Sequence, residues 1–409
     1  MAPSADRRLD IREGDGWATL ADIDIETAAA IARLKIGSVT PLENRDWRVS
    51  NIRKVGALRV NGIELHVHPK VPVSHLFYLL ARGQQWGEWY DSDISLSTTS
   101  DIYSAIAEVF GRWGERVLRG GVIKGYREVR SAEPVVRGRW LTTEQINRRL
   151  GMPLPAELQF DDFTVDIVEN QLVRAATLRL LRTGGLPQAA RARLHRIDRQ
   201  LADATPLAAG LRPPIVDFDR RNERYRPIVA LAQLVLGNES LEHHGGATTA
   251  SGYLLDLARV FEDYVETEVR RHAASYGGEI LAQHPSHLDV AGHAVIKPDL
   301  VWRKAGSVRA VFDAKYKITN SDHYPNADIY QMLAYCIRHG IGEGHLIYAE
   351  GDRLPTEIAI IAGEHGGSPV RVYAHAVDLT GTPASIEKQV SEIVVRALAH
   401  SDVTRTLSA

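Results

Sequence analysis

Residues 293–318 read HAVIKPDLVWRKAGSVRAVFDAKYKI, two strand-like runs joined by the short turn-like connection RKAGS. Val, Trp, Phe and Ile fill both runs, the composition of a pleated and half-buried surface, and the pattern predicts a sheet hairpin. Period-two alternation puts Val295, Lys297, Asp299 and Val301 on one face of the first strand. It puts Arg309, Val311, Asp313, Lys315 and Lys317 on one face of the second. Asp299, Asp313 and Lys315 can therefore converge. Two carboxylates on neighbouring strands offer hard oxygen ligands to Mg²⁺ and leave positions for water and a phosphate oxygen. The ammonium of Lys315, on the face of Asp313, is placed to orient an attacking water and to offset developing negative charge. An acid, any residue and a lysine recur by chance in most chains of this length, with a surface ion pair as the ordinary outcome. Context singles this one out: strands rich in Val, Phe and Tyr, Pro298-Asp299 upstream, and helices on both sides.

Those helices are read from 3.6-residue spacing. In GYLLDLARVFEDYVETEVRRH, residues 252–272, the apolar stripe is Leu254, Leu257, Ala258, Phe261, Val265 and Val269, with Glu262 at its margin and able to complete a metal shell. In NADIYQMLAYCIRHG, residues 326–340, Ile329, Met332, Leu333 and Cys336 are expected inside, with Gln331 and Tyr335 one turn apart on an adjacent face. Gln331 is placed to reach a phosphate or the water. For each helical polar residue taken alone, an exposed side chain is the ordinary alternative.

Working outward, the 409 residues argue for two or three domains. With 44% hydrophobic and 24% charged residues, the chain falls with soluble globular proteins and away from disorder or coiled coil. Cys336 is the only cysteine, which excludes an intrachain disulfide and a cysteine-built zinc site, suits a reducing compartment and predicts a cytoplasmic protein. The opening MAPSADRRLDIREGDGW has no apolar core of the kind secretion signals carry, and no apolar run approaches the roughly 20 residues that span a bilayer, so no membrane association is expected. The net charge of -2 excludes a uniformly basic nucleic-acid coat.

Residues 1–130 read as a β-containing domain, 131–250 as a mainly helical, arginine-rich segment, and 251–409 as an α/β domain with a sheet core. In the first, VGALRV-NG-IELHVHPK predicts a hairpin turning at Asn61-Gly62, with Ile63, Leu65 and Val67 inside and Glu64, His66 and His68 on a solvated face. Helices are expected over Ser74–Arg82 and Asp101–Leu118. In the second, DDFTVDIVENQLVRAATLRLLR, residues 161–182, reads as one helix with Ile167, Leu172, Ala175, Ala176, Leu178 and Leu180 apolar. Between 170 and 226 twelve arginines, Arg212 among them, stand against five acids. That surplus is a candidate phosphate-backbone surface or an ordinary solvated helical face. Gly245-Gly246 marks the loop before the last domain. His284, His287 and His293 read as scattered loop histidines rather than a metal site, and Gly340, Gly342 and Gly344 as a helix-to-strand loop.

Glu262 on a helix, Pro298-Asp299, Asp313-Ala314-Lys315 and Gln331 together resemble the PD-(D/E)xK nuclease core, a mixed sheet flanked by helices that hydrolyses phosphodiesters with Mg²⁺. More narrowly, FEDYVE, IKPDLVW, FDAKYK and DIYQMLAYC are similar to the McrC family, the nuclease subunit of McrBC-type restriction systems aimed at modified DNA. FDDFTVDIVENQLVRAATLRLL and VGALRVNGIELHVHPKV share the resemblance, so it touches all three segments. It implies a metal-dependent endodeoxyribonuclease of the type IV class, acting on double-stranded DNA that carries 5-methylcytosine. Asp299, Asp313 and the backbone carbonyl of Ala314 would hold Mg²⁺, or Mn²⁺ in its place, with Glu262 in support. Lys315 would position water and Gln331 would orient substrate. It also implies a McrB-like AAA+ GTPase hexamer as partner, engaged by the N-terminal domain. The chain contains no Gly-Lys dipeptide and hence no G-x4-GK[ST] loop, so no nucleotide is expected on this chain itself. The alternatives are an autonomous repair or junction nuclease, and a non-catalytic adaptor that stimulates a ring NTPase. The first 45 or so residues match no motif.

Overall fold

The computed structural model describes residues 7–83, 102–150, 152–182, 185–208, 211, 213–237, 250–316, 325–349, 356–360 and 369–403. Residues 7–83 form β1 (Arg7–Arg12), β2 (Trp17–Leu20), α1 (Ile25–Arg33), β3 (Ser38–Pro41), β4 (Trp47–Ser50), β5 (Lys54–Val60), β6 (Ile63–His68) and α2 (Val73–Gly83). Next come α3 (Ile102–Leu118), β7 (Gly125–Glu133), β8 (Arg139–Trp140), α4 (Thr142–Arg149), β9 (Ala156–Thr164), α5 (Val168–Arg182), α6 (Gln188–Gln200) and α7 (Arg226–Gly237). The remainder begins with β10 (Ala250–Asp256), α8 (Leu257–Ala273), β11 (Glu279–Ala282), β12 (Ser286–His287), β13 (Val295–Ile296) and β14 (Leu300–Lys304). It ends with β15 (Ser307–Lys315), α9 (Asn326–His339), β16 (Glu343–Tyr348), β17 (Thr356–Ile360), β18 (Val370–Ala376) and α10 (Pro383–Val403).

The chain divides into two compact units, neither continuous in sequence. One comprises Met1–Leu9, Gly56–His66 and Asp101–Leu254; the other comprises Asp10–Val55, Val67–Ser100 and Leu255–Ala409. Strands β1, β6, β5 and β10, paired in that order, each pass from one unit to the other partway along their length.

In the first unit, α3, α5, α6 and α7 pack on one another around Ile106, Phe110, Leu172, Ala176, Leu194, Ile197 and Val229. Gly114 lets α3 approach α6: a Cβ there would stand 2.4 Å from Ile197 Cδ1. The same unit holds the three-stranded sheet β7-β9-β8, closed by α4. The segment expected to be mainly helical therefore opens on strands, and Asp161–Thr164 belong to β9, with α5 starting only at Val168. The physical reason is pairing: Arg127, Glu128 and Val129 of β7 face Asp162, Asp161 and Phe160, so charged residues occupy both strands and conceal the alternation. The arginines between 170 and 226 do not form one open stripe. Arg174 pairs with Asp198 at 3.1 Å, Arg193 and Arg196 with Glu115, Arg221 with Asp219 and Arg226 with Glu223. Arg212, Asp101 and Gly245-Gly246 lie outside the described residues.

The Asn61-Gly62 turn joins β5 to β6 with φ values of 48° and 83°, as a type I′ turn requires. Its strand is buried on both faces, however, and His66 is only 3% exposed, which corrects the solvated face expected for it. His68 Nε2 instead meets Asp10 Oδ1 at 2.7 Å.

The second unit is built on a six-stranded mixed sheet, β11-β14-β15-β16-β18-β17. Strands β15, β16 and β18 run parallel and the outer pairs antiparallel. Helix α9 connects β15 to β16, the crossover that parallel neighbours need. Val301, Val311, Leu346, Tyr348, Val372 and Ala374 pack with Met332, Tyr335 and Cys336 of α9. Helices α8 and α10 also contact β15 and each other. The unit further carries α1 and the small sheet β2-β4-β3.

Two expectations on the C-terminal segment are corrected. Residues 293–304 are not one strand: β13 pairs with β12, β14 pairs with β15, and Lys297–Asp299 lie between them, where Pro298 has no N–H to give a ladder. Leu254 belongs to β10 rather than to the helical stripe, because Asp256 caps α8 by accepting from Ala258 N and Arg259 N. The hairpin turn itself is Ala305-Gly306, at φ values of 49° and 76°.

Candidate active site

Asp313 and Lys315 stand at the end of β15, and Asp299 immediately before β14, so the hairpin register brings the three together. Asp313 is 1% exposed. Its Oδ2 lies 2.5 Å from Lys315 Nζ, a close ion pair in which the ammonium faces the carboxylate. Asp299 is fixed from three directions. Its Oδ2 accepts from the Ala314 N–H at 2.9 Å, its Oδ1 from Gln283 Nε2 at 2.7 Å, and its carbonyl from the Gln283 N–H at 2.8 Å. The Lys315 carbonyl is used by the ladder towards β16, accepting from the Ala349 N–H at 3.0 Å. Since successive residues of a strand point their peptide groups to opposite sides, the Ala314 carbonyl is turned with its N–H towards Asp299.

Gln331 on α9 completes a short relay. Lys315 Nζ donates to Gln331 Oε1 at 3.0 Å, Gln331 Nε2 donates to the Tyr335 hydroxyl at 2.7 Å, and that hydroxyl donates to the Lys297 carbonyl at 3.2 Å. Tyr335 is therefore inside, not on an exposed face, and Lys297 contributes its backbone rather than its side chain. Burial, and then the charge of Asp313, push the Tyr335 phenol above its ordinary value.

The electrostatics are those of stored negative charge. Burial and the charge of Asp299 push Asp313 up to about 6, although Lys315 pulls it down. Asp299 is also raised by burial, against the Ala314 hydrogen bond and the Lys315 charge. Glu262, half-buried on α8, is pushed up to about 7 by burial and by Asp299, Asp256 and Asp313. Burial works to lower the pKa of Lys315, but Asp313 and Asp299 outweigh it and the net shift is upwards, so the ammonium persists.

The structure thus brings Asp299, Asp313, Lys315, Ala314 and Gln331 into one constellation and sets Glu262 near enough for its charge to be felt. Among the described residues no group of three or more His, Cys, Asp or Glu side chains is gathered tightly enough to enclose a metal ion, so Glu262 does not close a three-carboxylate shell. The donors nevertheless fit a hard divalent ion that keeps several waters: two carboxylates brought together by the β14-β15 register, one of them buried, and the Ala314 carbonyl on the side of Asp299. Lys317 lies outside the described residues.

Three supports had no signal in the sequence. Gln283 holds Asp299 from a loop position at φ 49°, a left-handed conformation uncommon for a side-chain-bearing residue. Tyr348 OH donates to Asp328 Oδ2 at 3.0 Å, tying the first turn of α9 to β16. Tyr316 OH donates to Glu13 Oε2 at 3.2 Å, and Glu13 is itself buried and also accepts from the Lys70 N–H. That last contact joins residues 303 apart in the chain, which no local pattern reveals.

Residues 49–349 match the family model described as McrBC 5-methylcytosine restriction system component. Among solved structures, the chain is similar to one in the refined half-complex from the tetradecameric assembly of Thermococcus gammatolerans McrB AAA+ hexamers with bound McrC. The identity is 18%, 94% of this chain and 100% of that chain are covered, and the TM-score is 0.59, a likeness of fold. A chain in the cryo-EM structure of the Thermococcus gammatolerans McrBC complex matches at 19% identity over 66% of this chain and 89% of that one, with a TM-score of 0.41. No curated protein matches. Among the described residues no helix is long and apolar enough to cross a membrane.

Proposed function

The chain belongs to the family of McrBC 5-methylcytosine restriction system components, and from that membership we propose that it is the Mg²⁺-dependent endonuclease subunit of such a system. Its substrate is double-stranded DNA, and it acts when assembled with a AAA+ GTPase ring. The observation that carries the reading is the buried Asp313 carboxylate paired with the Lys315 ammonium, beside a second carboxylate already fixed in place.

Asp299, Asp313 and the Ala314 carbonyl hold the ion, with Glu262 adding negative charge behind them. When bound, the ion supplies positive charge against the scissile phosphate and acidity to the attacking water. Lys315 orients that water and offsets the charge that develops on the phosphate oxygens. Gln331 holds the Lys315 ammonium in line through its Oε1 and, exposed on α9, orients the substrate. Tyr335, a phenol at working pH, fixes the Gln331 amide and thereby its orientation.

The partner ring is supported by the family and by a surface suited to protein contact. Tyr126, Trp140, Ile146, Leu150 and Phe163, on and beside the β7-β9-β8 sheet, are all exposed, and the Tyr126 and Phe163 rings lie 5.1 Å apart. Exposed apolar groups such as the Tyr126–Phe163 pair mark interaction surfaces.

The test is plasmid cleavage with Mg²⁺, using methylated and unmethylated DNA, each with and without the ring NTPase and GTP. Cleavage is expected only with methylated DNA, partner and nucleotide together. Cleavage by the chain alone would make it an autonomous nuclease, and stimulated GTP hydrolysis without any cleavage would make it an adaptor.

A further inference from the structure

A cavity of about 470 Å³ opens in the second unit, between the β11-β14 edge of the sheet, the β12 loop and the last turn of α9. Leu281, Val301 and Val308 give it an apolar floor. Its walls carry His284, Ser286, His287, Arg303, Arg338 and His339, and among the described residues no Asp or Glu lines it. A basic last turn is common at a helix C-terminus, so α9 alone explains nothing here. What needs a cause is the convergence of these groups around one space, together with two polar atoms that have been taken out of water and given nothing in return.

Those atoms are Ser286 Oγ and His339 Nε2, both buried without a hydrogen-bond partner. Ser286 as a whole is 9% exposed. Its strand is held rigidly, because Asp289 accepts from the His293 and Ala294 N–H groups and so fixes the turn between β12 and β13. Arg338 Nε donates to the His287 carbonyl at 2.6 Å, which sets the plane of the guanidinium against the cavity wall. Arg303 is held by Glu279 at 2.5 Å, so its charge is largely met, and the excess positive charge rests with Arg338 and the histidines. Burial, and then the charges of Arg338 and His284, hold His339 below its ordinary value, the response of a site crowded with positive charge.

We propose that this cavity is a binding site for a nucleotide phosphate, in which the Arg338 guanidinium and the Ser286 hydroxyl donate to the phosphate oxygens and the apolar floor receives the sugar. The volume suits a sugar phosphate better than a bare anion. The site is separate from the proposed catalytic one: Arg338 lies seven residues beyond Gln331 on α9, roughly 10 Å along the helix axis. The phosphate can belong to the backbone of a DNA duplex or to a free mononucleotide. The inference does not depend on the nuclease reading, because binding is measured without cleavage.

The experiment uses the full chain without Mg²⁺ and three probes: a deoxynucleoside monophosphate, inorganic phosphate and a labelled DNA duplex, the last over a range of salt concentrations. The monophosphate is expected to bind, about tenfold or more weaker in Arg338→Gln and about threefold to tenfold weaker in Ser286→Ala. Inorganic phosphate is expected to bind more weakly than the monophosphate. If the duplex is the source, Arg338→Gln lowers the slope of log K against log salt by about one. If the source is a free nucleotide, that slope is unchanged and excess duplex does not displace the monophosphate. Because the Ser286 hydroxyl makes no hydrogen bond, Ser286→Ala leaves the fold intact even where Arg338→Gln does not. Binding of both monophosphate and duplex that is indifferent to Ser286→Ala and to a folded Arg338→Gln would overturn the proposal.

Discussion

Asp219 and Glu223, in the arginine-rich stretch before α7, are held below the ordinary carboxylate range by hydrogen bonds from Arg221 and Arg226. Asp313 and Glu262 are instead pushed up to about 6 and about 7 by burial and by the charge of Asp299. The first pair has its counter-charges beside it in water. The second has one lysine for three carboxylates, of which Asp313 is buried and Asp299 and Glu262 are half-buried. Charge that satisfies itself at a surface does little beyond keeping the chain soluble, whereas charge held unsatisfied in the interior costs stability and persists where chemistry needs it. The comparison sets Arg221 and Arg226, already paired at the surface, apart from the Asp313-Ala314-Lys315 run, whose carboxylate lies inside the fold.

The largest expected effect on that contrast comes from Lys315→Met, which should lower cleavage by about a thousandfold, since a group that orients water and offsets transition-state charge is worth that much. Single-turnover cleavage in the assembled complex checks it. Next in size is the metal. Mg²⁺ at about a hundred times its dissociation constant should stabilise the chain by about 2.7 kcal/mol. The shift in melting temperature should grow between pH 6 and pH 8, as Asp313 and Glu262 lose the protons that compete with the ion, and should vanish in Asp313→Asn.

The metal-free protein should respond to pH in the opposite direction. Both groups have folded values above their unfolded ones, so their contribution to stability is complete below about pH 4 and is lost as pH rises through 6 and 7. Thermal melts in chelator should therefore fall across that window, and Asp313→Asn should flatten the fall and melt higher than the wild type at pH 8, by a few degrees. The smallest effect belongs to the other side of the comparison. Arg221→Ala, which removes an exposed pair with Asp219, should leave the melting temperature within about a degree and cleavage unchanged.

The sheet hairpin and the convergence of its charged side chains were legible because each step is local. Alternation in a strand fixes which side chains share a face, and Asp299, Asp313 and Lys315 do converge, although Pro298 divides the first strand. The Asn61-Gly62 turn was legible for the same reason, being written in two residues that tolerate positive φ. What could not be read depended on partners distant in sequence. Nothing near Gln283 shows that it holds Asp299, and nothing near Glu13 shows that Tyr316 needs it. His66 looked solvated because it alternates with apolar neighbours, but its strand is covered on both faces. Strands β7 and β9 escaped because their pairing buries little beyond Val129, Ala156, Leu158 and Phe160, and their charged residues match neither period. Tyr335 stands one turn from Gln331 as its spacing predicts, and it is buried because a phenol that reaches the Lys297 carbonyl can be buried at little cost.

The central claim is that the Asp313 site cuts DNA within an assembly whose motor lies elsewhere. The most direct measurement compares wild type and Asp313→Ala in the complex with the ring NTPase, following cleavage of methylated plasmid and GTP hydrolysis in the same reaction. The account predicts that Asp313→Ala abolishes cleavage while GTP hydrolysis continues at the rate seen with the wild type. Cleavage by Asp313→Ala at the wild-type rate would contradict it.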